Sequence, residues 1–193
     1  MNASRAKRSI VGLALAIGLS FTGWQNALAQ AEPPTPEHAK ELYFDAARAG
    51  RVDLLEGLIK AGIDPDVRDV HGYTALILAA YNGQLQAVDF LIAKGADPCA
   101  ADPGGNTALM GVAFRGENKV MGRLLAERCD INATNNAGQT ALMMAALFGR
   151  TQTAKLLMAH GVNAAAQDDS GNTAASLAKQ QGNAEMVTLL GGG

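Results

Sequence analysis

Apolar positions between residues 36 and 190 recur at helical spacing in short bursts, and the bursts come in pairs. The first burst of a pair is thin and alanine-rich, as in Ala75-Leu76-Ile77-Leu78-Ala79-Ala80. The second is bulkier, with Val88, Phe90, Leu91 and Ile92. Gly83 separates the two and Gly95 closes the second, which predicts two short helices stopped by glycine. A polar turn holding Gly72 leads into Thr74, a residue type that caps orphan N–H groups at a helix start. The arrangement returns every 33 residues. Gly72 becomes Gly105, Gly138 and Gly171, and Thr74 becomes Thr107, Thr140 and Thr173. Gly83 becomes Gly116, Gly149 and Gly182, with Gly50 one period earlier; Leu91 becomes Leu124, Leu157 and Leu190, with Leu58 before it. A lone helix pair of this length leaves its apolar face wet, whereas stacked copies share one continuous core. The predicted fold class is therefore all-α, a solenoid of stacked helix-turn-helix units joined by short turn or β-finger connections.

The period divides the chain. Residues 30–35 read as a linker kept extended by Pro33 and Pro34. Thr35-Pro36-Glu37 reads as a helix start, with Thr at the N-cap, Pro at the first helical position and an acid in the first turn. Residues 36–68 have both helical bursts but lack the Gly-x-Thr turn, so they read as an N-terminal capping unit. Glu37, Lys40, Glu41, Arg48 and Arg51 supply the polar outer face such a cap needs. Three full units follow, 69–101, 102–134 and 135–167. A C-terminal cap covers 168–190, and Gly191-Gly192-Gly193 is a tail expected to fray.

Residues 1–29 carry a different pattern. Arg5, Lys7 and Arg8 precede an apolar run of 14 residues from Ile10 to Gly23, and Ala27-Leu28-Ala29 has the small-x-small form of a cleavage site. That predicts a signal peptide removed before Gln30 and a periplasmic or secreted protein. The run falls short of the ~20 apolar residues a spanning helix needs, so no membrane attachment is expected after cleavage. Cleavage leaves 13 Lys and Arg against 18 Asp and Glu, a mildly acidic chain with no basic run. Nucleic acid is thereby a poor partner.

Gly-x-Thr-Ala-Leu occurs three times and Gly-Asn-Thr-Ala-Ala once. Lys-Gly-Ala-Asp (94–97) and His-Gly-Val-Asn (160–163) sit at unit ends. On these motifs, repeated in register, nearly all of residues 36–190 resembles the ankyrin-repeat family. The family's Thr-Pro-Leu-His reads Thr-Ala-Leu-Ile at 74–77 and Thr-Ala-Leu-Met at 107–110 and 140–143. The helix-starting Pro and the hydrogen-bonding His are missing, so consensus-grade stability does not carry over.

The 102–134 unit departs furthest. Arg128 stands where Gly95 and Gly161 stop their helices, and a left-handed backbone there would cost roughly 1 kcal/mol. Gly111 and Gly122 inside its helices each cost about 1 kcal/mol against Ala. This unit is expected to be the weakest in the stack. Cys99 and Cys129, the only cysteines, bracket it. Export favours a disulfide between them. Stacked units lying about 10 Å apart favour two separate thiols, because a bridge needs Cα atoms within ~7 Å. Spacing alone leaves both open.

Chemistry-bearing residues do not converge. His38, His71 and His160 fall at unrelated repeat positions without metal-ligand spacing, and Ser170 and Ser176 lack a glycine-flanked nucleophile turn. No catalytic residue, metal or cofactor is expected. In the resembled family, the turn tips and the exposed face of the first helix form a concave binding surface. Carried onto this chain, that surface holds Leu78, Tyr81 and Asn82, then Gly111, Phe114 and Arg115, then Met144, Leu147 and Phe148. The turns add His71, Tyr73, Asn106 and Gln139. Aromatics, Met and Arg are enriched at interface centres. The alternative is that these side chains pack between units as core. The expectation is a monomeric, non-catalytic adaptor that holds a protein partner. Small exported bacterial ankyrin-repeat proteins to which it is similar are sometimes associated with catalase-type enzymes, which implies a second reading as an accessory in oxidative-stress defence. A third is an exported effector acting on a host protein.

Overall fold

The computed structural model describes residues 35–192. The expected signal peptide, the linker up to Pro34 and Gly193 lie outside the described residues. Ten helices are seen among the described residues, in five pairs. They are α1 (Pro36–Ala49) with α2 (Val52–Lys60), α3 (Ala75–Tyr81) with α4 (Leu85–Ala93), and α5 (Ala108–Arg115) with α6 (Asn118–Leu125). Then come α7 (Ala141–Leu147) with α8 (Thr151–Ala159), and α9 (Ala174–Gln180) with α10 (Ala184–Leu189). Each first helix packs on the first helices before and after it, and the second helices form a parallel row. The protein is an all-α repeat solenoid.

A threonine cap starts the first helix of each pair where the sequence predicts. Thr35, Thr74, Thr107, Thr140 and Thr173 all accept a backbone N–H three residues on, at 3.2, 3.2, 3.4, 3.3 and 3.2 Å. Ahead of each full turn a carboxylate or amide organises the loop. The Oδ1 atoms of Asp69, Asp102, Asn135 and Asp168 accept the N–H four residues on, at 2.9, 2.8, 3.0 and 2.8 Å. The Asp168 carboxyl is held below its usual range, chiefly by the backbone N–H of Asn172. Antiparallel bridges Arg68–Thr74 and Ala101–Thr107 pin two of the fingers.

The core confirms why the first helices are thin. Ala46, Ala47, Ala79, Ala80, Val112, Ala113, Ala145 and Ala146 are buried in a row. Small side chains there let seven- and eight-residue helices approach closely. Helices this short are marginal by themselves, so packing rather than propensity keeps them folded. Leu55, Val88, Leu91, Met121, Leu124 and Leu157 fill the space against the second row. At the N-terminal end Tyr43 is buried beneath the capping unit, and its hydroxyl donates to the Pro65 carbonyl at 3.2 Å. Burial, then Asp66 and Asp64, push that phenol above its ordinary range.

One expectation for the 102–134 unit is corrected. Arg128 does not adopt a left-handed backbone, because every positive φ among the described residues belongs to glycine. Helix α6 instead ends early, at a right-handed Ala126 cap with φ −76°. The strain assigned to Arg128 is therefore absent. Cys99 and Cys129 are bonded as a disulfide, with Cα atoms 5.3 Å apart. The connecting loops come nearer each other than helix axes do, which is why the 10 Å packing distance did not apply. A bridge closing a loop of separation 30 contributes roughly 3–4 kcal/mol by restricting the unfolded chain.

Gly122 lies on an exposed stretch of α6, and a Cβ there would meet nothing within 4 Å. We expect Gly122→Ala to add about 1 kcal/mol and to raise the melting temperature by about 2–4 °C in a thermal scan. An unchanged or lower transition would mean that α6 is not limited by its own helix propensity.

Candidate functional site

The first helices present equivalent residues at fixed register positions. Leu78, Gly111 and Met144 share one position, and Tyr81, Phe114 and Leu147 share the next. Asn82, Arg115 and Phe148 share a third. Where Leu78 and Met144 carry a side chain, Gly111 carries none. A cavity of about 400 Å³ opens there, lined mainly by Tyr73, Leu78, Tyr81, Gly111, Phe114 and Met144. The nearest atom to a Cβ built on Gly111 would be Cδ2 of Tyr81, at 3.5 Å. The groove is thus a side chain missing from an otherwise continuous apolar row.

Aromatic rings wall it. Tyr81 and Phe114 stack with centroids 5.8 Å apart and planes inclined at 17°. Phe114 meets Phe148 edge-on at 4.3 Å and 64°. The Arg115 guanidinium sits 5.2 Å above the Tyr81 ring, a cation–π contact worth about 0.5–1 kcal/mol at an exposed site. Tyr81, on the groove wall, and Phe148, packed against the Phe114 ring beside it, keep 38% and 40% of their surface in water, which makes an exposed apolar patch on this face. Asp102 stands at the mouth, its carboxylate accepting from the Asn106 backbone at 2.8 Å and from the Asn106 amide at 3.2 and 3.1 Å.

The residues expected on this face divide into three groups. Tyr81, Asn82, Arg115 and Phe148 are exposed, while Phe114, Met144 and Leu147 are half-buried beside them. Tyr73, Asn106 and Gln139 are half-buried at the finger bases, where two of them serve the fold. Asn135 donates to Oδ1 of Asn106 at 3.0 Å and to Oε1 of Gln139 at 3.2 Å. Leu78 lines the groove but keeps only 9% of its surface, so it belongs to the core beneath this face and does not stand out on it. Ile77 and Met110 were not anticipated. They lie one residue off the chosen face and line the groove as part of the buried core, with 7% and 2% of their surface exposed.

The other candidates have structural partners. Ser176 and Thr173 cap one another, with the Thr173 N–H donating to Oγ of Ser176 at 3.0 Å. Ring Nδ1 of His160 lies 2.8 Å from the Leu156 carbonyl, and His38 lies 3.8 Å from Glu41. Among the described residues no three His, Cys, Asp or Glu side chains gather as a metal site. Val70, 95% exposed at a finger tip, is a solitary apolar residue outside the groove.

Edge-to-face rings contribute beyond their buried area. A double-mutant cycle on Phe114→Ala and Phe148→Ala is expected to give a coupling energy of about 0.5–1.5 kcal/mol in urea unfolding. Strict additivity would show that the rings are neighbours without mutual support.

The comparisons agree with this geometry. A family model described as ankyrin repeats (3 copies) matches residues 43–135 and 109–192. A search of curated proteins returned no match. Repeated caps, glycine-closed helix pairs and a family match spanning most of the chain lead to one assignment: the chain belongs to the ankyrin-repeat family.

Proposed function

We propose that this protein is an exported, non-catalytic adaptor that captures a protein partner in the aromatic groove on its first-helix face. Ankyrin repeats are in general protein-interaction modules, and the family match supports that much directly. The observation that carries the rest is the dip at Gly111, walled by Tyr81 and Phe114, with Phe148 packed edge-on against Phe114 and Arg115 over Tyr81. Exposed rings held rigid against one another make contact area at little entropic cost, and a 400 Å³ recess accepts an anchoring side chain from a partner. Export is supported by the signal-like pattern of residues 1–29 and by a disulfide with an exposed cysteine, a bond that persists in oxidising compartments.

The site is tested with a photo-crosslinking residue at Asn82, on the groove rim, and a control at Lys60, on α2. A discrete adduct from Asn82 alone is expected in the native cell envelope. Replacing Tyr81, Arg115 and Phe148 by Ala, or restoring a side chain with Gly111→Leu, is expected to cut that adduct at least about tenfold with the circular dichroism unchanged. Adducts of equal yield from wild type and variants would remove the groove from the mechanism. Export is tested separately: the intact mass of the protein from its native cell is expected to begin at Gln30. A chain retaining Met1 in the cytoplasm would refute the exported reading while leaving the groove untouched.

A further inference from the structure

The loops that join successive units form a row, and its neighbours are tied by one recurring bond. Oδ1 of Asp66 accepts the Asp97 N–H at 2.9 Å, and Oδ1 of Asn132 accepts the Asn163 N–H at 2.7 Å. These two bonds are related by two repeat periods. The intermediate junction would use residue 99 as acceptor and the Asp130 N–H as donor. Residue 99 is Cys99, which has no carboxylate or amide oxygen to offer. At this junction alone the row is closed by the Cys99–Cys129 disulfide. Cys129 occupies the position held by Ala96 and Val162, both buried. The covalent bridge has replaced the hydrogen bond that register prescribes.

The bridge joins the unit carrying Tyr81 to the unit carrying Phe114, so it clamps the same two units that the aromatic stack spans. It is also reachable. Cys99 is exposed, and both cysteines line an open recess of about 310 Å³. The unit it holds contains the helix-weakening Gly111 and Gly122.

We propose that Cys99–Cys129 is a redox latch that sets the local stability of the 102–134 unit. A dithiol reductant attacks one Sγ, the S–S bond breaks, and the bonding pair leaves with the other sulfur. The second thiolate of the reductant then resolves the mixed disulfide. The protein gains two electrons and two protons as a pair of thiols, and the reductant becomes a disulfide. The loop row is then untied at this junction, because no acceptor oxygen stands at residue 99. The finger row keeps its tie at this junction, where the Asn136 backbone N–H and side-chain amide donate to the Gly104 and Pro103 carbonyls at 2.9 and 3.0 Å. The finger-side bonding and the helix packing therefore survive, and the effect is local opening rather than collapse. The inference stands on the loop row alone and does not require the partner-binding reading.

Hydrogen exchange followed by mass spectrometry tests it, on oxidised protein and on protein reduced with dithiothreitol. Reduction is expected to speed exchange in α5 and α6 on the order of 100-fold while α1, α2, α9 and α10 change little. A Cys99→Asp, Cys129→Val variant restores the prescribed acceptor and the Val162-type neighbour. It is expected to exchange more slowly in α6 than Cys99→Ser, Cys129→Ser, and to ignore dithiothreitol. Equal exchange in oxidised and reduced protein would overturn the proposal. So would loss of protection spread evenly over all units, or an Asp-Val variant no better protected than the Ser-Ser one.

Discussion

No helix pair in this chain can stand by itself, and that constraint organises everything else. After the 14-residue α1, the first helices run to only seven or eight residues, below the length at which a helix persists in water. Their inward residues are alanines, which bury little area each but bring backbones close. What stabilises them is the neighbour on either side, so each interface is a separate element of stability and each can vary independently. The exposed ends then need polar covers, which α1 provides with Glu37, Lys40 and Glu41 on its outer turns.

Because the stack is a set of near-equivalent interfaces, function enters as a departure from equivalence. Gly111 is such a departure. Its neighbours in register carry Leu78 and Met144, and its lack of a side chain creates the recess that Tyr81 and Phe114 frame. The same residue lowers the helix propensity of α5 by about 1 kcal/mol. A groove and a weak helix are one feature seen from two sides, since removing bulk from a packed row exposes the rings beside it and costs cohesion beneath them.

Much of this was legible beforehand, for a physical reason. Threonine caps, glycine stops and alanine faces act locally, so they appear in the sequence at the positions where they work. Thr74 and Gly83 could be assigned before any coordinates were known. The rest depends on relations across units. Leu78 was carried onto the exposed face by the family resemblance, but its burial is decided by packing within the stack. Arg128 was read as strained because its register partners are glycines, yet α6 stops one residue sooner and avoids the left-handed backbone. The disulfide could not be decided from helix spacing, because loops at the edge of a stack approach more closely than axes do. Ile77 and Met110 escaped notice because they look like core residues, and they are core residues that also line the recess.

The two departures meet at one unit, Gly111 within it and the bridge tying it to the unit before, and their placement has a consequence for how such a stack can evolve. In a nearest-neighbour solenoid, weakening a terminal unit only frays an end, whereas weakening a central one threatens to divide the stack. A recess in the middle of the first-helix row is useful because rings from both sides converge on it, but the middle is where lost cohesion costs most. A covalent tie between the loops flanking that unit offsets the loss without filling the recess, since it acts at the far row. A hydrogen bond of the Asp66 type would contribute about 1 kcal/mol there, and the bridge contributes roughly 3–4. The difference is about what Gly111 and Gly122 together remove, which gives a physical reason for the one exception in the loop row to sit beside the one gap in the groove row.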